Sequence, residues 1–387
     1  MGPSMTALRA EFIDSIEAVP AVQWNRLSGV DNPFTRYEFL HALETTGCVV
    51  EATGWRPQHL LIRDERDVLL GAAPCYLKTH SYGEYVFDWA WADAYHRHGL
   101  EYYPKLLTAI PFTPSVGPRV LVSAGADRKR ISQAVSHAMA ERAHHTGASS
   151  WHLLFPDEPT RKSLGADSSL LLRHGTQFHW LNEGYASFDG FLQALASRKR
   201  KNIRKERQAV LSQGIAFKLI EGADVGEPEL EAFYDFYQLT YLKRGQRPYL
   251  SDAFFQRLIA VMPEQVFLIL AQREQRFVAG ALFLKNHSTL FGRYWGCTEE
   301  FNHLHFETCY YQGIDYCIEH KLLRFDAGAQ GEHKLLRGFR PTPTYSLHRI
   351  EHPAFRQAIA NFLDEERAGV SEYMRDANAH LPFKQVE

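Results

Sequence analysis

Leu268-Ile269-Leu270-Ala271-Gln272-Arg273-Glu274-Gln275-Arg276-Phe277-Val278-Ala279-Gly280-Ala281 reads as an apolar strand, a charged turn and a second strand closing on Gly-Ala. The same pattern stands earlier as His59-Leu60-Leu61-Ile62-Arg63-Asp64-Glu65-Arg66-Asp67-Val68-Leu69-Leu70-Gly71-Ala72, with Gly71 returning as Gly280 after 209 positions. Self-similarity at a fixed offset points to a duplicated domain. With small gaps, Trp91 aligns with Trp295 and Glu101 with Glu307. In each copy an aromatic, His-bearing segment (95–103 or 301–307) leads into a predicted helix, and a strand follows, 151–157 or 322–326. Helix, antiparallel strands, helix, strand predicts an α/β (α+β) fold of two domains, each a mixed, mostly antiparallel sheet flanked by helices. The expected boundaries are 5–183 and 184–387.

Length and composition agree with this division. A chain of 387 residues exceeds one ordinary core and suits two. No apolar run reaches the roughly 18 residues of a membrane helix, and no apolar export segment opens the chain, so a cytoplasmic protein is expected. Met1-Gly2-Pro3-Ser4 reads as an added leader, with Met5 the expected native start. The net charge of -2 means that attraction for phosphates must come from local clusters. Cys48, Cys75, Cys297, Cys309 and Cys317 are odd in number and lack C-x-x-C spacing, which predicts buried thiols in a reducing compartment. No helix carries H-x-x-x-H or HExxH, so no metal is expected.

The densest local charge lies between the two copies. Ser187-Phe188-Asp189-Gly190-Phe191 opens a predicted helix with Ser or Asp as N-cap, which runs through Ser197-Arg198-Lys199-Arg200-Lys201-Asn202-Ile203-Arg204-Lys205-Glu206-Arg207 to Leu211, with Gly214 beyond its end. Arg200, Arg204 and Arg207 share a face at i, i+4 and i+7, and arginine donates paired hydrogen bonds to phosphate oxygens. Downstream, Leu230, Phe233 and Tyr237 keep helical spacing as core positions, leaving Tyr241 and Arg244 at the helix end to meet a ligand. A helix over 251–259, a strand over 345–350 and a terminal helix over 354–372 complete the reading.

A second concentration of polar groups follows the last predicted strand of the second copy. Leu322 to Phe325 meets Asp326, and Gly328 and Gly331 bracket Ala329-Gln330 in an open turn that leads into Glu332-His333-Lys334 and Arg337. Strand ends followed by glycine-rich loops are where α/β folds present reactive side chains.

The basic helix with Gly214, the Gly280-Ala281 strand and the Trp295 to Glu307 segment resemble the Fem-like (FemAB-type) branch of the GNAT acyltransferase superfamily. More specifically, Ser81-Tyr82-Gly83-Glu84-Tyr85-Val86-Phe87-Asp88-Trp89-Ala90-Trp91-Ala92-Asp93-Ala94-Tyr95-His96 and Gly331-Glu332-His333-Lys334 resemble a bacterial subgroup described as peptidoglycan biosynthesis or recognition N-acyltransferases. The resemblance spans about residues 10 to 365. It implies two tandem GNAT-like domains and transfer of an aminoacyl group from aminoacyl-tRNA to an amine of a cell-wall precursor. One departure bears on the donor. The loop that wraps the coenzyme A pyrophosphate in acetyltransferases is replaced by Glu299-Glu300-Phe301-Asn302-His303-Leu304-His305, without glycine and with two carboxylates that would repel a pyrophosphate.

Acyl transfer to an amine needs a neutral nucleophile, stabilisation of the developing oxyanion and a destination for the departing proton. The expected catalytic residues are Asp326, Glu332, His333 and Lys334: the first three accept the proton, and Lys334 or Arg337 stabilises the oxyanion. Arg200, Arg204, Arg207, Tyr241, Arg244, His305 and Arg337 are expected on the donor or its phosphates. Asp88, Trp91, Asp93, His96 and Arg97 are expected around the acceptor, with one half taking the donor and the other the acceptor. No tightly bound cofactor is expected; aminoacyl-tRNA, or alternatively acyl-CoA or an acyl carrier, serves as co-substrate. The competing reading is a duplicated GNAT fold that binds ligand without turnover.

Overall fold

The computed structural model describes residues 7–329 and 331–384, which leaves Met5 as a native start and Gln330 of the polar turn outside the described residues. The chain forms two compact units, Met1–Gly175 with Pro343–Ser371, and Thr176–Thr342 with Glu372–Glu387. One cut at 183/184 was expected from the sequence. Instead the chain leaves the first unit inside one long strand, Leu171–Leu181, and returns inside another, Arg340–Ile350. The chain crosses a third time inside the helix Pro353–Ala379, so a cut placed at a loop misses all three crossings, each within a continuous strand or helix.

In the first unit the strands are β1 (Leu8–Ile13), β2 (Trp55–Pro57), β3 (His59–Asp64), β4 (Leu69–Ala73), β5 (Tyr76–Lys78), β6 (Lys105–Thr108), β7 (Leu121–Val122) and β8 (Ser150–Leu154). Strand β9 (Leu171–Leu181) leads into the second unit, which holds β10 (Ile215–Glu221), β11 (Val266–Arg273), β12 (Arg276–Lys285), β13 (Thr289–Cys297) and β14 (Arg324–Asp326), and β15 (Arg340–Ile350) leads back. Hydrogen-bonded order in the first unit is β1-β3-β4-β7 in one sheet and β15-β8-β6-β5-β2 in the other. In the second it is β10-β11-β12-β13-β14-β9. Pairing is antiparallel except at β6–β8 and β13–β14, so each unit repeats one parallel step in a mostly antiparallel arrangement. Among the described residues no helix is long and apolar enough to cross a membrane.

The two hairpins read from the sequence are present, and their irregularities match. β3–β4 carries a bulge at Ile62/Arg63 and β11–β12 carries one at Ala271/Gln272, again 209 residues on. An extra residue left unpaired in a strand bends and twists it locally, so the shared bulge is a shared shape. The glycines are one place out of step, Gly71 facing Ile62 and Gly280 facing Leu270. Both lie beneath a helix. A Cβ on Gly71 would fall 2.5 Å from Ile131 of the helix Arg128–Thr146, and one on Gly280 would fall 3.3 Å from Phe236 of the helix Glu227–Leu242. Burying Phe233 and Phe236 on β12 and β13 contributes about 1.5–3 kcal/mol each.

Two sequence readings are corrected here. Trp91, aligned with Trp295 from the sequence, lies in the helix Trp89–Arg97, whereas Trp295 lies on β13. Its one-turn spacing from Asp88 and Tyr95 puts all three on the buried face. The basic helix is two helices, Phe188–Ala194 and Ser197–Ser212. The chain breaks at Leu195 and Ala196 because the C-terminal segment pairs there: Ala196 N–H donates to Pro382 O at 2.8 Å and Lys384 N–H to Ala194 O at 3.0 Å. Both expected ends hold, with Ser187 Oγ accepting from Gly190 N–H and Gly214 at φ +75.

Candidate functional sites

In the second unit the site is built on the end of β14. A register shift in the β12–β13 pairing leaves Arg293 out of the ladder between Gly292 and Tyr294. Its Nη2 meets Asp326 Oδ2 at 2.9 Å, with both side chains only 2% exposed. Asp326 Oδ1 also accepts from Gly328 N–H at 3.0 Å, and His179 on β9 lies 3.8 Å away. Burial alone would raise the Asp326 carboxyl, but the Arg293 guanidinium outweighs it and holds the group far below the usual carboxylate range. Asp326, expected from the sequence as a proton acceptor, is thus held in a buried ion pair with Arg293.

Lys334 is buried in the turn that follows. Its Nζ donates to Ala327 O and Gly328 O, both at 2.8 Å, and burial lowers it to about 8. Two of its three N–H bonds thus hold the turn closed, which leaves one for an oxyanion. Arg337 is likewise engaged. It pairs with Glu206 at 2.9 Å, donates to His333 O at 2.8 Å and lies 3.4 Å from the Phe306 ring centroid. Glu332 is exposed and accepts from Tyr373 OH at 2.8 Å.

His333 is the group with free chemistry. Its Nε2 shares a hydrogen bond of 2.8 Å with Tyr310 OH, and its ring lies 6.0 Å from that of His305. Burial, followed by the charges of Arg337 and Lys334, lowers His333, so the imidazole is neutral at pH 7. His305 is buried against Trp295 and Tyr310 and is lowered to about 4. Tyr310 belongs to a π-helical turn, Glu307–Tyr311, a distortion that recurs at functional sites. The sequence reading missed Tyr310, Arg293 and His179. Only the doubled tyrosine beside Glu307 hinted at the first.

The expected phosphate track divides. Arg207 bonds Glu307 at 2.9 Å and Asp315 at 2.7 Å over the Phe188 ring, so it is held inside the unit. Arg204 is exposed and pairs with Asp189 at 2.9 Å. Arg200, with Arg198, Lys199, Lys201 and Lys205, makes no ion pair among the described residues. Tyr241 is half-buried against Tyr237 and Tyr249, and Arg244 is exposed beyond its helix.

The first unit holds a separate buried polar cluster. Lys105 at the start of β6 donates to Glu84 Oε2 at 2.8 Å, Ser81 Oγ at 2.7 Å and Asp88 Oδ2. Tyr102 OH donates to Asp88 Oδ2 at 2.7 Å and meets His152 Nε2 at 3.1 Å, and His152 Nδ1 meets His348 Nδ1 at 2.5 Å across β8 and β15. Trp91 packs edge-on against His348. Of the expected acceptor residues, Asp88 and Trp91 join this cluster, while Asp93 and Arg97 pair with each other on the exposed face that His96 shares. The reading missed Lys78, Glu84, Tyr102, Lys105, His152 and His348. Glu84, Tyr102, His152 and His348 lay inside segments read from the sequence, but nothing local marks them, Lys78 or Lys105 as one cluster.

Among the described residues no His, Cys, Asp and Glu group is placed to hold a metal ion. Cys48, Cys75 and Cys317 are buried and Cys297 and Cys309 half-buried, all as free thiols.

A family model, FemAB-like, described as peptidoglycan biosynthesis/recognition, matches residues 15–385. No curated protein matches the chain. Among solved structures the chain is similar to FemX, with TM-score 0.51 and 12% identity over 91% of this chain and 100% of that one. It is also similar to a conserved protein of unknown function from Bacteroides thetaiotaomicron, with TM-score 0.51 and 11% identity over 88% and 99% of the two chains. A tandem GNAT protein from the clavulanic acid biosynthesis pathway gives TM-score 0.49 and 10% identity over 90% and 99%. Identities this low speak for the fold alone.

Proposed function

The chain belongs to the FemAB-like family, described as peptidoglycan biosynthesis/recognition, and we propose that it is a GNAT-fold acyltransferase that moves an activated acyl or aminoacyl group onto a primary amine, with Tyr310 and His333 handling the proton released after attack. The observation that carries this reading is the 2.8 Å hydrogen bond between His333 Nε2 and Tyr310 OH on a turn held by Lys334. After the amine attacks the acyl carbon, the nitrogen carries a surplus proton. Tyr310 O accepts it while passing its own to His333 Nε2, and the protonated imidazole returns a proton to the leaving oxygen or sulfur. The donor is already activated, so positioning supplies much of the acceleration.

An aminoacyl ester on tRNA is the favoured donor. Five basic side chains on the helix Ser197–Ser212, without ion pairs among the described residues, support a polyanionic partner, and Glu299 and Glu300, exposed where acetyltransferases bind pyrophosphate, disfavour acyl-CoA. The family description supports a cell-wall precursor as acceptor. Incubation with charged tRNA and amine-bearing cell-wall precursors, followed by mass spectrometry, tests the proposal. A mass gain on the precursor that depends on His333 is expected. A gain obtained only with acyl-thioesters replaces the donor, and glycan binding with no product from any donor returns the protein to a binding module.

A further inference from the structure

β5 and β6 are antiparallel neighbours whose register sets Lys78 directly opposite Lys105, and both side chains are completely buried. Two like charges opposed in a strand pair repel, so both stay charged only if each has its own counter-ion. Lys105 takes both available carboxylates, Glu84 and Asp88. Lys78 has neither. Its Nζ reaches only His80 Nδ1 at 3.3 Å and Tyr82 O at 3.4 Å, and lies 3.6 Å from the Trp55 ring centroid. His80 Nε2 sits 2.9 Å from Thr53 O, which fixes the tautomer and leaves Nδ1 an acceptor without charge. Burial lowers Lys78 most and outweighs the Glu84 charge that favours the cation, and with the Lys105 charge acting the same way as burial Lys78 is lowered to about 7.

The carboxylates carry the complementary deficit. Glu84 Oε1 and Asp88 Oδ1 have no hydrogen-bond partner among the described residues, although their side chains are only 2% and 3% exposed. Burial raises Glu84 to about 7, while Lys105 and His152 hold Asp88 at about 2 against its burial. The remaining neighbours offer no mobile charge. Tyr103 OH bonds Ser81 at 2.8 Å, and Tyr102 is raised by burial. His152, lowered by burial to about 3, and His348, lowered by burial too, are neutral, and Arg173 is bound to Glu366. Two buried carboxylate oxygens without a donor among the described residues thus stand in one cluster with a lysine that bonds no carboxylate.

We propose that this cluster is a binding site for a primary ammonium group, whose N–H bonds satisfy Glu84 Oε1 and Asp88 Oδ1. The inference rests on the acyl-transfer reading for its purpose: the acceptor is a primary amine, which arrives at the site as its ammonium.

The test is lysine-selective carbon labelling with NMR titration of the full chain, using Lys78→Met to assign the signal. Lys105 is left untouched because it neutralises two buried carboxylates. In the free protein the Lys78 signal is expected to titrate near 7, against the ordinary 10.5. Methylammonium bound to the two carboxylates adds a positive charge beside Lys78 and is expected to lower its midpoint, while tetramethylammonium, which has no N–H, leaves it in place. Glu84→Gln is expected to weaken the methylammonium response. A Lys78 that titrates with the surface lysines overturns the proposal, and so does an equal response to the two cations, which would mark an ionic-strength effect. No acyl donor enters the experiment. A positive titration in a protein that transfers no acyl group therefore retains the ammonium site and removes the transferase reading.

Discussion

Arg293 and Asp326 form an ion pair of 2.9 Å in which neither side chain is more than 2% exposed. Breaking a buried pair by removing one partner leaves the other charge uncompensated, a loss of about 3–5 kcal/mol. Arg293→Met is expected to cost that much in urea unfolding, and Asp326→Asn less, because the amide still accepts from Gly328 N–H. The folded Asp326 carboxyl is depressed below its unfolded value. Its contribution is present above about pH 4, where the unfolded group ionises, and is lost as pH falls toward the folded value. Asp326→Asn should therefore flatten the acid limb of the stability profile. An unchanged limb would assign acid sensitivity elsewhere, Asp88 being the next candidate.

Lys78 has the opposite linkage. Its folded value, about 7, lies below its ordinary 10.5, so between those limits the unfolded chain binds more protons and stability rises with pH. Below 7 both states are protonated, and the folded one carries a buried cation. Lys78→Met should abolish the rise between pH 7 and 10 and stabilise the protein at pH 6, as read by thermal melting across buffers.

His333→Gln and Tyr310→Phe remove the proposed proton path while leaving the turn intact. Loss of a general base typically slows turnover about 10²- to 10⁴-fold, and the melting temperature should move little for an exposed imidazole. Lys334→Met should behave differently. It removes the bonds to Ala327 O and Gly328 O, so amide exchange across 327–338 should accelerate even where turnover is not measured.

On the basic helix, location separates binding from stability. Combined Arg200→Ala and Lys201→Ala substitution should reduce tRNA retention in a gel shift and lower the salt slope by about 0.7 to 0.9 for each phosphate no longer neutralised. Arg207→Ala should instead destabilise the second unit, since Glu307 and Asp315 lose their shared cation.

Gly296→Ala tests a packing constraint. An added Cβ would stand 1.8 Å from Phe236 O, where the helix Glu227–Leu242 crosses β13. Backbone cannot yield as a side chain can, so we expect a loss of several kcal/mol or no folded protein, read by expression and thermal melting.

The local patterns of the chain determined a good deal by themselves. Alternation and turn chemistry in 59–72 and 268–281 were enough for two homologous hairpins, because strand period and charged turns are short-range properties, and Ser187 and Gly214 marked helix ends for the same reason. His333 and Lys334 could be singled out because they stand within one dense turn. What tertiary structure alone decided is which charges meet. Arg293 reaches Asp326 across 33 residues and Arg207 reaches Glu307 across 100, pairings that convert an expected base and an expected phosphate contact into fixed ions. His152 and His348 lie 196 residues apart, and Lys78 faces Lys105 only through strand register. Protonation depends on burial and on neighbours distant in sequence, so no window of the chain contains it.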